Sequence, residues 1–169
     1  MNQLMPKASL VVAAIVAASF SFSVQAEKHK LSGTAGEVAA PVQSTPYKGE
    51  NPTRDIVQRV AVFLWMSDSP DWDGIVETSP QQNMTVGGMG YDVGHIVFHH
   101  RNGDEAYGYF LGTYKVVTKA DGSWEVPFEG QKIIVGGTGR LANIKGTLNY
   151  KGKATPAGAT FRWEGEVDY

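Results

Sequence analysis

Along most of this chain apolar and polar residues alternate with a period of two, the pattern of strands that bury one face and wet the other. Residues 159–169 (ATFRWEGEVDY) are the plainest case, with Thr160, Arg162, Glu164, Glu166 and Asp168 between apolar or small neighbours. Residues 146–153 repeat the alternation, and the turn-rich 154–158 between them predicts a hairpin. Asn102-Gly103 separates GHIVFHHR (94–101) from DEAYGYFLGTYKVVT (104–118), and Asn-Gly suits a two-residue type I′ turn. Asp121-Gly122 then leads into SWEVPF (123–128), followed by QKIIV (131–135). Upstream, residues 56–66 (IVQRVAVFLWM) form a β-branched and aromatic run that predicts a central strand.

Three stretches carry weaker patterns. Residues 67–92 read mostly as loop, with one strand at 74–78 or at 84–88. Only 140–143 suggest a helical turn. Residues 27–52, with Pro41, Pro46 and Pro52, predict an extended N-terminal segment ahead of a barrel domain at 53–169. Residues 1–26 read as a secretory signal: Lys7 supplies the positive charge, an apolar stretch follows, and Val24-Gln25-Ala26 predicts cleavage after Ala26. The apolar stretch falls short of the roughly 20 residues that a membrane span needs. A secreted or periplasmic protein without stable membrane insertion is therefore expected.

Composition sharpens the fold more than the function. The 169 residues include 20 Gly, well above the usual share of roughly 7%, and no Cys. Glycine within strands (Gly108, Gly112, Gly152, Gly165) marks bends and close backbone approach, as in barrel strands. These features predict an all-β fold, an antiparallel up-and-down β-barrel of about eight strands, whose closure removes exposed edges. Absent cysteine excludes disulfides, thiol nucleophiles and Cys-ligated metals. A net charge of −2 gives no reason to expect a nucleic-acid partner.

The glycine cluster at 136–142 (GGTGRLA) matches G-x-x-G-x-x-A, but alternating strands rather than a helix follow it, so dinucleotide binding is not expected. Residues 131–150 (QKIIVGGTGRLANIKGTLNY) instead resemble the signature region of allene oxide cyclases and dirigent proteins, with the resemblance running mainly over 93–169. That resemblance implies a calycin-like barrel with an apolar cavity that binds a hydrophobic small molecule. In the enzymes of such families the cavity shapes cyclisation or coupling without a cofactor. None of the family's catalytic residues maps onto a position of this chain.

The remaining polar and aromatic residues carry the candidate chemistry. His95 and His99 share a strand face but stand about 13 Å apart, too far to bind one metal together. No metal or cofactor is expected. Pairing about the Asn102-Gly103 turn sets His100 opposite Glu105 as an ion pair, and His95, His99 and Glu105 are the candidates for acid–base work. Acidic residues in 68–77 do not fit a calcium loop, and no nucleophile elbow is present. The ligand-binding candidates are Trp65, Tyr107, Tyr109, Tyr150, Phe161 and Trp163. Periodicity groups Tyr107 with Tyr109 against Phe110 and Tyr114 without choosing the inward pair. Three readings follow: a cofactor-free cyclase or isomerase, a lipocalin-like carrier, and a solid-core structural or oligomer-forming protein. One feature separates them, the volume and lining of the barrel interior.

Overall fold

The computed structural model describes residues 27–43 and 54–169; the expected signal peptide and residues 44–53 lie outside them. Strands β1 (Lys28–Gln43), β2 (Arg54–Ser67), β3 (Val76–Val86), β4 (Met89–His99) and β5 (Glu105–Lys115) follow one another as a meander. A two-residue strand, β6 (Val117–Thr118), and the long β7 (Trp124–Gly137) come next. A single 3-10 turn, Gly139–Leu141, precedes β8 (Lys145–Thr155) and β9 (Gly158–Asp168). Every neighbouring pair is antiparallel, β5 pairs with β7, and β9 returns to β1. The result is a closed eight-stranded barrel, with β6 only a rim pairing at the start of β7.

The count of eight matches the alternating pattern, but its make-up differs in three places. Residues 28–43 are a barrel strand paired on both sides, so the barrel starts well before residue 53. The two strands expected at 123–128 and 131–135 are one, Trp124–Gly137. Gly130 is no turn; it faces inward where any Cβ would strike the Leu111 carbonyl and the Tyr150 ring. The supposed loop at 67–92 holds all of β3 and the start of β4. Its inward positions are Glu77, Ser79, Gln81, Asn83 and Thr85, so the apolar half of the alternation is missing and the strand hides.

The Asn102-Gly103 connection is also not a type I′ turn. Among the described residues only glycines have positive φ, so Asn102 does not, whereas Gly103 sits at φ 88°. His100 and Asp104 close a three-residue loop through Gly103 N–H to the His100 carbonyl (3.0 Å) and His100 N–H to the Asp104 carbonyl (2.9 Å). The Asn102 side chain supports it by accepting from the Asp104 N–H (3.1 Å). A type I turn ending in a left-handed glycine takes one residue more than a type I′ turn. The register therefore shifts by one, and His99, not His100, lies opposite Glu105.

The barrel is packed unevenly along its axis. At the end where β1 starts and β9 finishes, loop 68–75 and the turn at 138–144 cap the interior with Trp72, Ile75, Leu141 and Ile144, all buried. Trp65 packs beneath them against Trp163, tilted at 44° with centroids 4.5 Å apart, and edge-on against Phe98 (4.8 Å), an arrangement favourable to aromatic rings. His100 lies under this cap, its ring edge-on to Trp72 and its Nδ1 donating to the Asp71 carbonyl (3.1 Å). Toward the other end, where the 87–88, 116–123 and 156–157 connections lie, the packing opens.

Candidate functional site

Between the packed cap and the opposite rim lies a cavity of about 260 Å³. Its two sides differ. Strands β2 to β5 contribute Arg59, Ser79, Gln81, Asn83, Thr85, Asp92 and Tyr114, a mainly polar wall interrupted by Val57, Phe63 and Phe110. Across the ring, β7 to β9 contribute Trp124, Val126, Phe128, Ala154, Ala159 and Phe161, with Lys132 and Tyr150 as the polar members of that side. The inward face of β3 is polar because it lines this space rather than a solid core.

The floor is a buried ion pair. Lys132 on β7 donates from Nζ to Glu77 Oε1 on β3 (2.6 Å), and the Trp65 indole N–H donates to Glu77 Oε2 (2.8 Å). Glu77 is fully buried and the Lys132 side chain is 5% exposed. Five aromatic rings, Phe63, Trp65, Phe110, Tyr150 and Phe161, lie 5.1 to 5.9 Å from Nζ. Ring faces attract a desolvated cation, so this cage and the carboxylate together replace the water that the ammonium has lost.

Higher on the polar wall, Arg59 Nη2 donates to the Gln81 carbonyl oxygen (2.7 Å), with the amide oriented to satisfy that contact. The Tyr114 hydroxyl is 2.6 Å from Thr85 Oγ1. Among the residues that line the cavity, two polar atoms have no partner: Asp92 Oδ1 and the Tyr150 hydroxyl, both shielded from water. They converge on the space that a side chain at Gly112 would fill. Burial raises the Asp92 carboxyl above its ordinary value, with the charges of Lys132 and Arg59 opposing only in part. Burial also raises the Tyr150 phenol, helped by the negative charges of Asp92 and Glu77. Both groups are thus biased toward their protonated, hydrogen-bond-donating forms.

The structure distributes the sequence candidates over three places. Tyr150 and Phe161 line the cavity. Trp65 and Trp163 are buried but belong to the packed cap side, Trp65 reaching the floor through Glu77. Tyr107 and Tyr109 point outward, each 43% exposed, so Phe110 and Tyr114 are the inward pair and the two tyrosines do not line the cavity. His95, His99 and Glu105 are also on the outer wall. His99 Nδ1 pairs with Glu105 Oε1 at 2.9 Å and its Nε2 meets the Thr78 hydroxyl at 3.2 Å. These three candidates therefore have no access to the interior, where Asp92 and Tyr150 are the titratable groups with raised values. The expected ion pair of His100 with Glu105 does not form, because the register shift sends His100 under the cap. Sequence reasoning missed Arg59, Glu77, Gln81, Asp92 and Lys132. Alternate polar positions from Glu77 to Thr85 were the available signal, since a period of two in polar residues is as strand-like as one in apolar residues.

No protein-family model matches this chain, and no curated protein does. Among solved structures, the pterocarpan synthase dirigent protein GePTS1 superimposes with a TM-score of 0.50, over 95% of this chain and 99% of that one. The barrel is built like that of a dirigent protein. Sequence identity is 13%, so the likeness is one of fold. A second pterocarpan synthase dirigent protein, PsPTS1, is 14% identical over 86% of this chain and 97% of that chain, with a TM-score of 0.49.

Proposed function

We propose that this chain is an exported, dirigent-like barrel that binds a small, largely apolar cyclic molecule in its cavity. The observation that carries the reading is the cavity's mixed lining, with most hydrogen-bonding groups on β2 to β5 and mainly apolar rings and methyls, beside Lys132 and Tyr150, on β7 to β9. Apolar lining with a few convergent polar groups is the usual make-up of a small-molecule site. At about 260 Å³ the space lies just under the ~300 Å³ lower bound of typical ligand pockets, which favours a ligand of one or two rings. Unpartnered Asp92 Oδ1 and Tyr150 hydroxyl supply donors for an oxygen on such a ligand. The same pair favours a second reading, a cofactor-free cyclase or isomerase, because two protonated groups aimed at one ligand oxygen would stabilise charge developing there.

Displacement of the fluorescent probe 1-anilinonaphthalene-8-sulfonate by small cyclic compounds tests the binding reading, together with mass spectrometry of organic extracts from protein purified from its native host. Saturable displacement that is lost in Ala154→Phe, which fills the cavity beneath the rim, is expected. Binding that survives Ala154→Phe unchanged would place the ligand elsewhere and overturn the reading. Export is tested by N-terminal sequencing of protein recovered outside the cytoplasm, expected to begin at Glu27.

A further inference from the structure

We infer that Lys132 is a covalent carbonyl-binding lysine, and that the cavity takes small aromatic or apolar aldehydes as imines. The inference rests on the cavity-binding reading above and extends it from shape to chemistry. Lys132 lines the cavity while its side chain is 5% exposed, so a ligand on the floor meets Nζ and bulk water scarcely does. Burial suits imine formation, since it excludes the water that hydrolyses the product. Glu77, 2.6 Å away and held by the Trp65 indole, is placed to take the proton.

The step balances without an oxidant or a metal. Nζ gives a proton to Glu77 Oε1, and the free amine attacks the aldehyde carbon. A C–N bond forms, the C=O π bond breaks, and a proton passes from nitrogen to oxygen to give the carbinolamine. The hydroxyl then leaves as water with the proton returned by Glu77, leaving a protonated C=N bond on Nζ. The product carries its positive charge on the same nitrogen as the starting ammonium. Glu77 and the five surrounding rings therefore stabilise the bound state with no change in the charge of the cavity. A purely structural ion pair would need no cavity at its cationic end.

The test is reductive trapping. The full chain is incubated with limiting cinnamaldehyde and sodium cyanoborohydride, and labelled lysines are located by peptide mass spectrometry. Lys132 is expected to be labelled at least tenfold above any solvent-exposed lysine such as Lys151 or Lys153. That excess should disappear in Ala154→Phe, and Lys132→Arg should label only at the surface. Glu77→Gln should slow labelling of position 132 by tenfold or more while leaving surface lysines unchanged. Probe binding is measured on the same samples. Surface labelling with Lys132 unmodified, in protein that binds the probe saturably, overturns the covalent inference and leaves the binding reading standing. Absence of both overturns the two together.

Discussion

Replacing Lys132 by methionine keeps the length and most of the volume of the side chain but removes the cation from the barrel floor. Glu77 would then be fully buried with one oxygen still bonded to the Trp65 indole and the other stripped of its partner. Breaking a buried pair by deleting one member costs about 3–5 kcal/mol, because the remaining charge has neither water nor a counter-ion. The five rings add nothing to offset this, since their attraction goes with the ammonium. For a chain of this size each kcal/mol moves the melting temperature by roughly 2–4 °C, so a drop on the order of 10 °C is expected. Urea denaturation at pH 7 measures the loss, and Glu77→Leu combined with Lys132→Met completes the cycle. The double variant should recover most of the single variant's loss, because it removes both charges and leaves apolar groups among apolar rings. A single-variant loss below about 1 kcal/mol, or a double variant as unstable as the sum of the singles, would refute the buried-pair argument.

Four further outcomes are expected. Asp92 has a raised folded value, so the proton it binds contributes stability that is present below the ordinary carboxylate range and lost as pH rises through the folded value. Asp92→Asn should therefore melt higher than the parent at pH 7 and equal to it near pH 3 in thermal scans. His100 has a lowered folded value because of burial, so its contribution is full above its ordinary value of 6.5 and is lost as pH falls below it. Between pH 8 and 5 the parent should lose thermal stability more steeply than His100→Gln. Gly112→Ala would push against Asp92, the Tyr150 hydroxyl and the Glu129 carbonyl, costing about 1–3 kcal/mol in denaturant titration and weakening probe binding. Outward Tyr107, Tyr109, Val93 and Leu111 form an exposed apolar patch on β4 and β5, proposed as a contact between copies of the chain. Sedimentation should then show Tyr109→Glu lighter than the parent at equal concentration.

How legible the barrel was depended on what each strand faces. β9 reads plainly because its inward residues, Ala159, Phe161, Trp163 and Val167, meet other apolar groups while its outward ones meet water. β3 is equally regular in space, but its inward side chains are polar and meet a cavity, so hydrophobicity carries no period there. The strand that was hardest to read is thus the one that builds the polar wall of the site. β1 was obscured differently: small residues at Gly33, Ala35 and Gly36 leave little amplitude to the alternation, although both neighbours hydrogen-bond to it.

Alternation, turn residues and abundant glycine were sufficient, from the chain alone, for an antiparallel eight-stranded barrel, because those signals are local and each strand's two faces are written side by side in the order of residues. The functional interior was not local. Whether Tyr107 or Phe110 faces inward turned on one residue in the loop at 101–103, since a shift of one exchanges the faces of a strand. The floor pair joins Glu77 to Lys132 across 55 positions of sequence, and Asp92 meets Tyr150 only where Gly112 leaves room. Closure of the barrel brought these groups together and took water away from them. That step, which no periodicity records, turns scattered polar residues into one site.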